Sequence, residues 1–170
     1  MNTMAETISS ERTQADSFAE DLCVITGAEE GHDVFVNAEA AALFSTDDRR
    51  VLFQKQPFER MHPASITKIM TALLAVKYGN LEESVTVGDE VVINEAGASM
   101  CHIQSGETLT LEQLLYGLML PSGNDAGAAI AIHMGGSLDA FSDMMNAEAR
   151  KLGATDTHFV NPHGLTDDTH

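Results

Sequence analysis

Ser65-Ile66-Thr67-Lys68 sets a hydroxyl and a primary amine three residues apart. On a helix this spacing puts both side chains on one face, one turn apart. From Ser65 to Tyr78, apolar residues stand at Ile66, Ile69, Met70, Leu73, Leu74 and Val76, with Ala72 and Ala75 filling much of the rest. The pattern predicts a helix that is apolar nearly all round and therefore buried, with Pro63 at its start, Lys77 in its last turn and Gly79 at C′. A lysine on such a helix is desolvated, and desolvation favours the neutral amine, a competent base for a neighbouring hydroxyl. The helix N-terminus adds positive potential and free N–H groups near Ser65, which suits a developing oxyanion. The bland alternative is a capping serine and a snorkelling lysine, and so short a motif recurs by chance.

Ser122-Gly123-Asn124 brings a second hydroxyl and an amide onto a tight loop. Thr110 to Leu120 reads as a helix opened by a Thr110-x-x-Gln113 capping box and stopped by Pro121. Asp125 is expected to cap the next helix, Ala126 to Met134, which Gly135-Gly136 ends. Gly123 is expected to supply the unusual backbone angle of the loop. Alone, this tripeptide is an ordinary capping turn. Ser137 caps a further amphipathic helix carrying Leu138, Phe141, Met145 and Leu152, with Gly153 at its end. Upstream, Val34–Phe44 and Val51–Gln54 predict a hairpin, and Val85–Val87 and Val91–Ile93 two short strands. Thr157–Val160 reads as extended and Asn161-Pro162-His163-Gly164 as a turn.

The 170 residues carry a formal net charge of -17, with 44% hydrophobic and 5% aromatic residues and no Trp. Such a charge repels phosphate backbones and anionic lipid, which argues against nucleic acid and a basic membrane-surface mode. The core must be aliphatic and methionine-filled. Cys23 and Cys101 form no CxxC, and the seven histidines show no ligand spacing, so neither a metal nor a cofactor is expected. No segment has the apolar length of a membrane span, and no signal peptide is visible.

Taken in order, the two motifs gain specificity: S-x-x-K followed by S-x-N are two of the three elements shared by class A β-lactamases and penicillin-binding proteins. Ala64-Ser65-Ile66-Thr67-Lys68-Ile69-Met70-Thr71-Ala72 resembles the nucleophile helix of the low-molecular-weight penicillin-binding proteins, the serine D-alanyl-D-alanine carboxypeptidases. Gly106–Thr110 with Leu114–Ala126 resembles that family's second-motif region, and Asn161–Leu165 a later block. The resemblance runs from about Val36 to His170.

It implies an α/β (α+β) fold of the β-lactamase/transpeptidase type, an antiparallel sheet with a helical subdomain. Residues 29–170 would be the N-terminal part of that catalytic domain, and residues 1–28, which match nothing in it, a disordered leader or linker. Ser65 would be the acylated nucleophile, Lys68 its base, Ser122 the proton relay to the leaving D-alanine, and Asn124 the holder of the substrate amide. The oxyanion hole would use the Ser65 backbone N–H and one from a later strand. The partners implied are peptidoglycan stem peptides ending in D-Ala-D-Ala and β-lactam antibiotics, and the location extracytoplasmic, in the periplasm or on the outer face of the cytoplasmic membrane. The departure is the third motif. No Lys-Thr-Gly, Arg-Thr-Gly or Lys-Ser-Gly occurs in the 170 residues, so the chain is expected to be a fragment that stops before the central strands. A β-lactamase, a D,D-endopeptidase and an inactive truncated copy acting as a binding module remain as alternatives. His163 and His62 are expected to be turn and loop residues, and Cys101 to serve packing.

Overall fold

A computed structural model describes residues 35–47 and 50–170. The expected leader and Cys23 lie outside the described residues. The chain forms two compact units, one ending at Arg60 and the other beginning at Met61.

In the first unit, β1 (Ala41–Phe44) pairs antiparallel with β2 (Val51–Lys55), as the hairpin pattern predicts. Leu43 faces Phe53 and Phe44 faces Val51, so the register shifts between Leu43 and Phe44. β1 is shorter than the expected Val34–Phe44. The ammonium of Lys55 donates to the carbonyls of Val36 (3.0 Å) and Ala38 (2.6 Å), which serve a side chain instead of a ladder.

The second unit holds the helices and the core. A 3₁₀ turn, Ala64–Thr67, leads directly into α1 (Lys68–Tyr78). Gly79 follows in an extended conformation and not the left-handed one expected of a C′ glycine. Its lack of a Cβ is needed instead because Leu111 packs against it. β3 (Ser84–Thr86) pairs antiparallel with β4 (Thr108–Thr110), placing Val85 opposite Leu109. Val91–Ile93, expected as a strand, lies at the end of a 3₁₀ turn, Asp89–Val91. Here Glu90 accepts from the Gly88 N–H (2.8 Å), and this local bond wins over β-propensity.

Local chemistry sets the remaining helices. α2 (Leu111–Met119) opens with the complete Thr110/Gln113 capping box. α3 (Asn124–Gly135) ends at Gly136, whose φ of 76° only glycine adopts without strain. The Ser137 hydroxyl caps α4 (Leu138–Lys151) by accepting from the Ala140 N–H (3.1 Å). α3 packs against α1, α2 and α4, and it is buried on every side from Asn124 to Ala131. Its run of Ala and Gly lets the neighbouring helices approach closely. The core gathers Leu74, Leu114, Leu118, Ile130, Phe141 and Met145.

One expectation needs correction. α1 is not buried all round. Its inner face carries Lys68, Thr71, Leu74 and Ala75, but Ile69 (60% exposed), Leu73 and Val76 line an open face, continued by Ile66 in the preceding turn. An apolar period finds every hydrophobic position of a helix but does not say which positions meet a neighbour in this chain.

Candidate active site

The 3₁₀ turn and the first turn of α1 bring Ser65 and Lys68 together. Lys68 Nζ lies 3.1 Å from Ser65 Oγ and donates to the His163 carbonyl at 2.8 Å. Ser65 is exposed, whereas Lys68 is 3% exposed, and burial holds its ammonium below the ordinary lysine range. A neutral amine has two hydrogens and one lone pair. One hydrogen satisfies the His163 carbonyl, which leaves the lone pair for the Ser65 hydroxyl.

The tail segment that supplies this carbonyl is built for the contact. Asn161 Oδ1 accepts from the backbone N–H groups of His163 (3.2 Å) and Gly164 (2.7 Å), and its amide donates to the Leu165 carbonyl (3.0 Å). Thr71 Oγ1 donates to the Pro162 carbonyl at 2.6 Å, anchoring the turn to α1. The expected turn over Asn161–Gly164 is therefore present, and His163 meets Lys68 through its backbone carbonyl. The buried imidazole accepts from the Leu165 N–H (3.3 Å). Burial, then the charges of Lys68 and His170, push its pKa down to about 4.

Gly164 completes the turn at φ 81°, and a Cβ there would collide with the Ala64 carbonyl beside Ser65. Gly164→Ala is expected to cost about 1–2 kcal/mol through the angle alone. It should also displace the carbonyl that accepts from Lys68. Urea unfolding of the purified variant, and the titration of Lys68 followed by NMR, check both effects.

The second motif sits where α3 begins, and its strain is not where the sequence suggested. Gly123 has an ordinary φ of -63°, while Ser122 takes the left-handed φ of 61°. Gly123 is needed for closeness: a Cβ would stand 2.8 Å from each of Gly117 O, Cys101 Sγ and Asp125 Oδ1. Ala64, just before Ser65, also has a positive φ, 49°, so a strained non-glycine residue lies at each motif.

Asp125 does not occupy the N-cap; it is in the first turn of α3, and its carboxylate reaches beyond the helix. Oδ1 accepts from the Cys101 N–H (3.0 Å), the Cys101 thiol (3.2 Å) and its neighbour Ala126 (3.0 Å); Oδ2 accepts from the Ile103 N–H (3.1 Å). Burial opposes the charge, but these bonds outweigh it and lower the Asp125 pKa. Burial, with the adjacent carboxylate, pushes the Cys101 thiol up to about 11, a packing group and not a nucleophile.

Asn124 is buried, with its backbone N–H donating to the Ser99 carbonyl at 2.8 Å. Ser122 is half-buried. Among the described residues, no direct hydrogen bond joins either side chain to Ser65 or Lys68. Sequence reasoning missed Thr67 and Thr71, whose buried hydroxyls bind the tail. Two threonines four positions apart in an apolar stretch look like filler until their distant partners are known.

Known proteins share this arrangement of elements. The model of the D-alanyl-D-alanine carboxypeptidase family matches residues 27–170. The chain is 39% identical over 136 residues to the D-alanyl-D-alanine carboxypeptidase DacF of Bacillus subtilis (strain 168), an alignment covering 78% of this chain and 35% of that protein. Among solved structures it superposes on the D-alanyl-D-alanine carboxypeptidase of Mycobacterium tuberculosis H37Rv with a TM-score of 0.73 at 31% identity, covering 84% of this chain and 54% of the other. It superposes on penicillin binding protein 5 of Haemophilus influenzae with a TM-score of 0.72 at 29% identity, covering 83% and 42%. The chain thus spans 35% of the curated relative's length and has the α+β fold of these penicillin-binding proteins. It belongs to the D-alanyl-D-alanine carboxypeptidase family.

Proposed function

We propose that the protein is a serine D-alanyl-D-alanine carboxypeptidase acting through an acyl-enzyme on Ser65. The observation that carries this reading is the buried Lys68 amine, 3.1 Å from an exposed serine hydroxyl. Lys68 Nζ takes the Ser65 proton as Oγ attacks the carbonyl carbon of the penultimate D-alanine. The C–N bond to the terminal D-alanine breaks, and Ser122 passes a proton to the leaving amine. Asn124 holds a substrate amide. Water then cleaves the Ser65 ester, releasing the shortened stem peptide, and Oγ regains its proton.

The substrate class is the peptidoglycan stem peptide ending in D-Ala-D-Ala, and a β-lactam would acylate the same oxygen. Such a substrate places the enzyme outside the cytoplasm. No helix of the described residues is long and apolar enough to cross a membrane. The test is fluorescent penicillin labelling of the protein as its gene encodes it, with peptide mapping, beside an assay of D-alanine release. A long-lived label on the Ser65 peptide and D-alanine release are expected. Label on another serine would overturn the assignment, and rapid loss of the label would favour a β-lactamase.

A further inference from the structure

Thr67 lies between the nucleophile and the base, and its buried hydroxyl has a partner of its own. Thr67 Oγ1 is 2.7 Å from Nε2 of His170. The other ring nitrogen, Nδ1, accepts from the Val160 N–H at 3.2 Å. A backbone N–H can only donate, so Nδ1 is the bare nitrogen and Nε2 carries the proton. Nε2 therefore donates to Thr67. The ring also meets Phe159 edge-on at 5.8 Å. Phe159 is held at both backbone groups by Asn146 of α4, with its N–H donating at 2.7 Å and its carbonyl accepting at 2.8 Å. A continuous path thus runs from α4 through Phe159, Val160 and His170 to the turn that carries Ser65. It is separate from the contact between Lys68 and the His163 carbonyl.

We infer that His170 is a positioning residue for acyl transfer: its neutral, Nε2-protonated imidazole pins Thr67 and so holds Ser65 Oγ within reach of Lys68 Nζ. The inference rests on the acyl-transfer reading of Ser65. Protonation would put a second hydrogen on Nδ1, directly facing the Val160 N–H, and two donors cannot share that contact. The clamp therefore opens in acid. Burial disfavours the charged ring; of the titratable groups around it, Asp167 favours the charged form and His62 and His158 oppose it, while His163 has its own pKa lowered by the His170 charge.

The experiment measures fluorescent-penicillin acylation of the protein as its gene encodes it, against pH, for the wild type, His170→Ala, His170→Gln and Thr67→Val. Loss of one buried hydrogen bond predicts about tenfold slower acylation in His170→Ala and Thr67→Val. A glutamine amide can accept from Val160 and donate to Thr67, so His170→Gln is expected to recover most of the rate. It should also lose one unit of acid-side slope in log rate against pH, because the amide does not titrate. A merely structural histidine would not remove that slope. Histidine ¹⁵N NMR of the unmutated protein gives a readout independent of any variant's folding, and the Nε2–H tautomer is expected. Wild-type rates in folded His170→Ala, an unchanged acid slope in His170→Gln, or the Nδ1–H tautomer would each overturn the inference. Absence of label on Ser65 in the wild type would instead overturn the function on which it rests.

Discussion

Lys68→Arg is expected to slow penicillin acylation of Ser65 by about 10²–10⁴-fold, the range for loss of a general base. The substitution keeps a long cation on the same helical face, so it removes the proton acceptor while leaving charge in place. A guanidinium does not deprotonate in proteins, whereas the Lys68 ammonium is held below the ordinary lysine range by burial. Wild-type acylation should therefore rise with pH as Lys68 loses its proton, because only the neutral amine can accept the serine proton. That limb should vanish in the arginine variant. Stopped-flow acylation across pH, with thermal unfolding as a control for folding, measures both. Acylation within about tenfold of wild type, roughly 1.4 kcal/mol of barrier, would mean that another group is the base.

Lys77→Ala is expected to destabilise the second unit by about 3 kcal/mol, the low end for exposing one partner's absence in a buried ion pair. Glu148 of α4 is 1% exposed; Oε1 accepts from Lys77 Nζ (2.5 Å) and Oε2 from the Tyr78 hydroxyl (2.7 Å), with Lys151 Nζ at 3.5 Å. Removing Lys77 strands a buried carboxylate on its remaining partners. Lys77 itself is 35% exposed, so solvent screening keeps the cost from the upper end. Glu148→Gln should cost less, because the freed ammonium can turn to water.

The pH dependence has a definite sign. Burial raises the Glu148 pKa, but the bonds from Lys77 and Tyr78 and the charges of Lys77 and Lys151 outweigh it, and the folded-state pKa lies below the ordinary glutamate value of 4.5. The cluster's contribution is thus complete above that value and is lost as pH falls through the folded-state pKa. Urea unfolding at neutral pH and in acid tests this: the gap between wild type and Lys77→Ala should narrow in acid.

What the sequence made legible is what lies within a few residues. The Thr110/Gln113 box and the Ser137 cap are bonds across three positions, so residue type and spacing are enough to place them. The Ser65–Lys68 pair is equally local. Ser122 shows the limit: glycine is the residue expected at a positive φ, yet Gly123 is there for closeness and the serine takes the strained angle. Asp125 at a helix start reads as a cap, and nothing local reveals that its carboxylate holds the backbone of Cys101 and Ile103. The open face of α1 is a third case, because hydrophobic period cannot say which positions a neighbour covers.

The contacts that hold Lys68 and the turn carrying Ser65 reach far along the chain, and this orders events during synthesis. Lys68 meets the His163 carbonyl across 95 residues, Thr71 meets Pro162 across 91, and Thr67 meets His170 across 103. At about 5–20 residues per second, the ribosome adds the distant partners several seconds after the motif itself. Until they dock, Lys68 is an ordinary solvated ammonium and Ser65 an ordinary alcohol. The pair therefore acquires its native surroundings only with the closing of these long loops, a late step in folding.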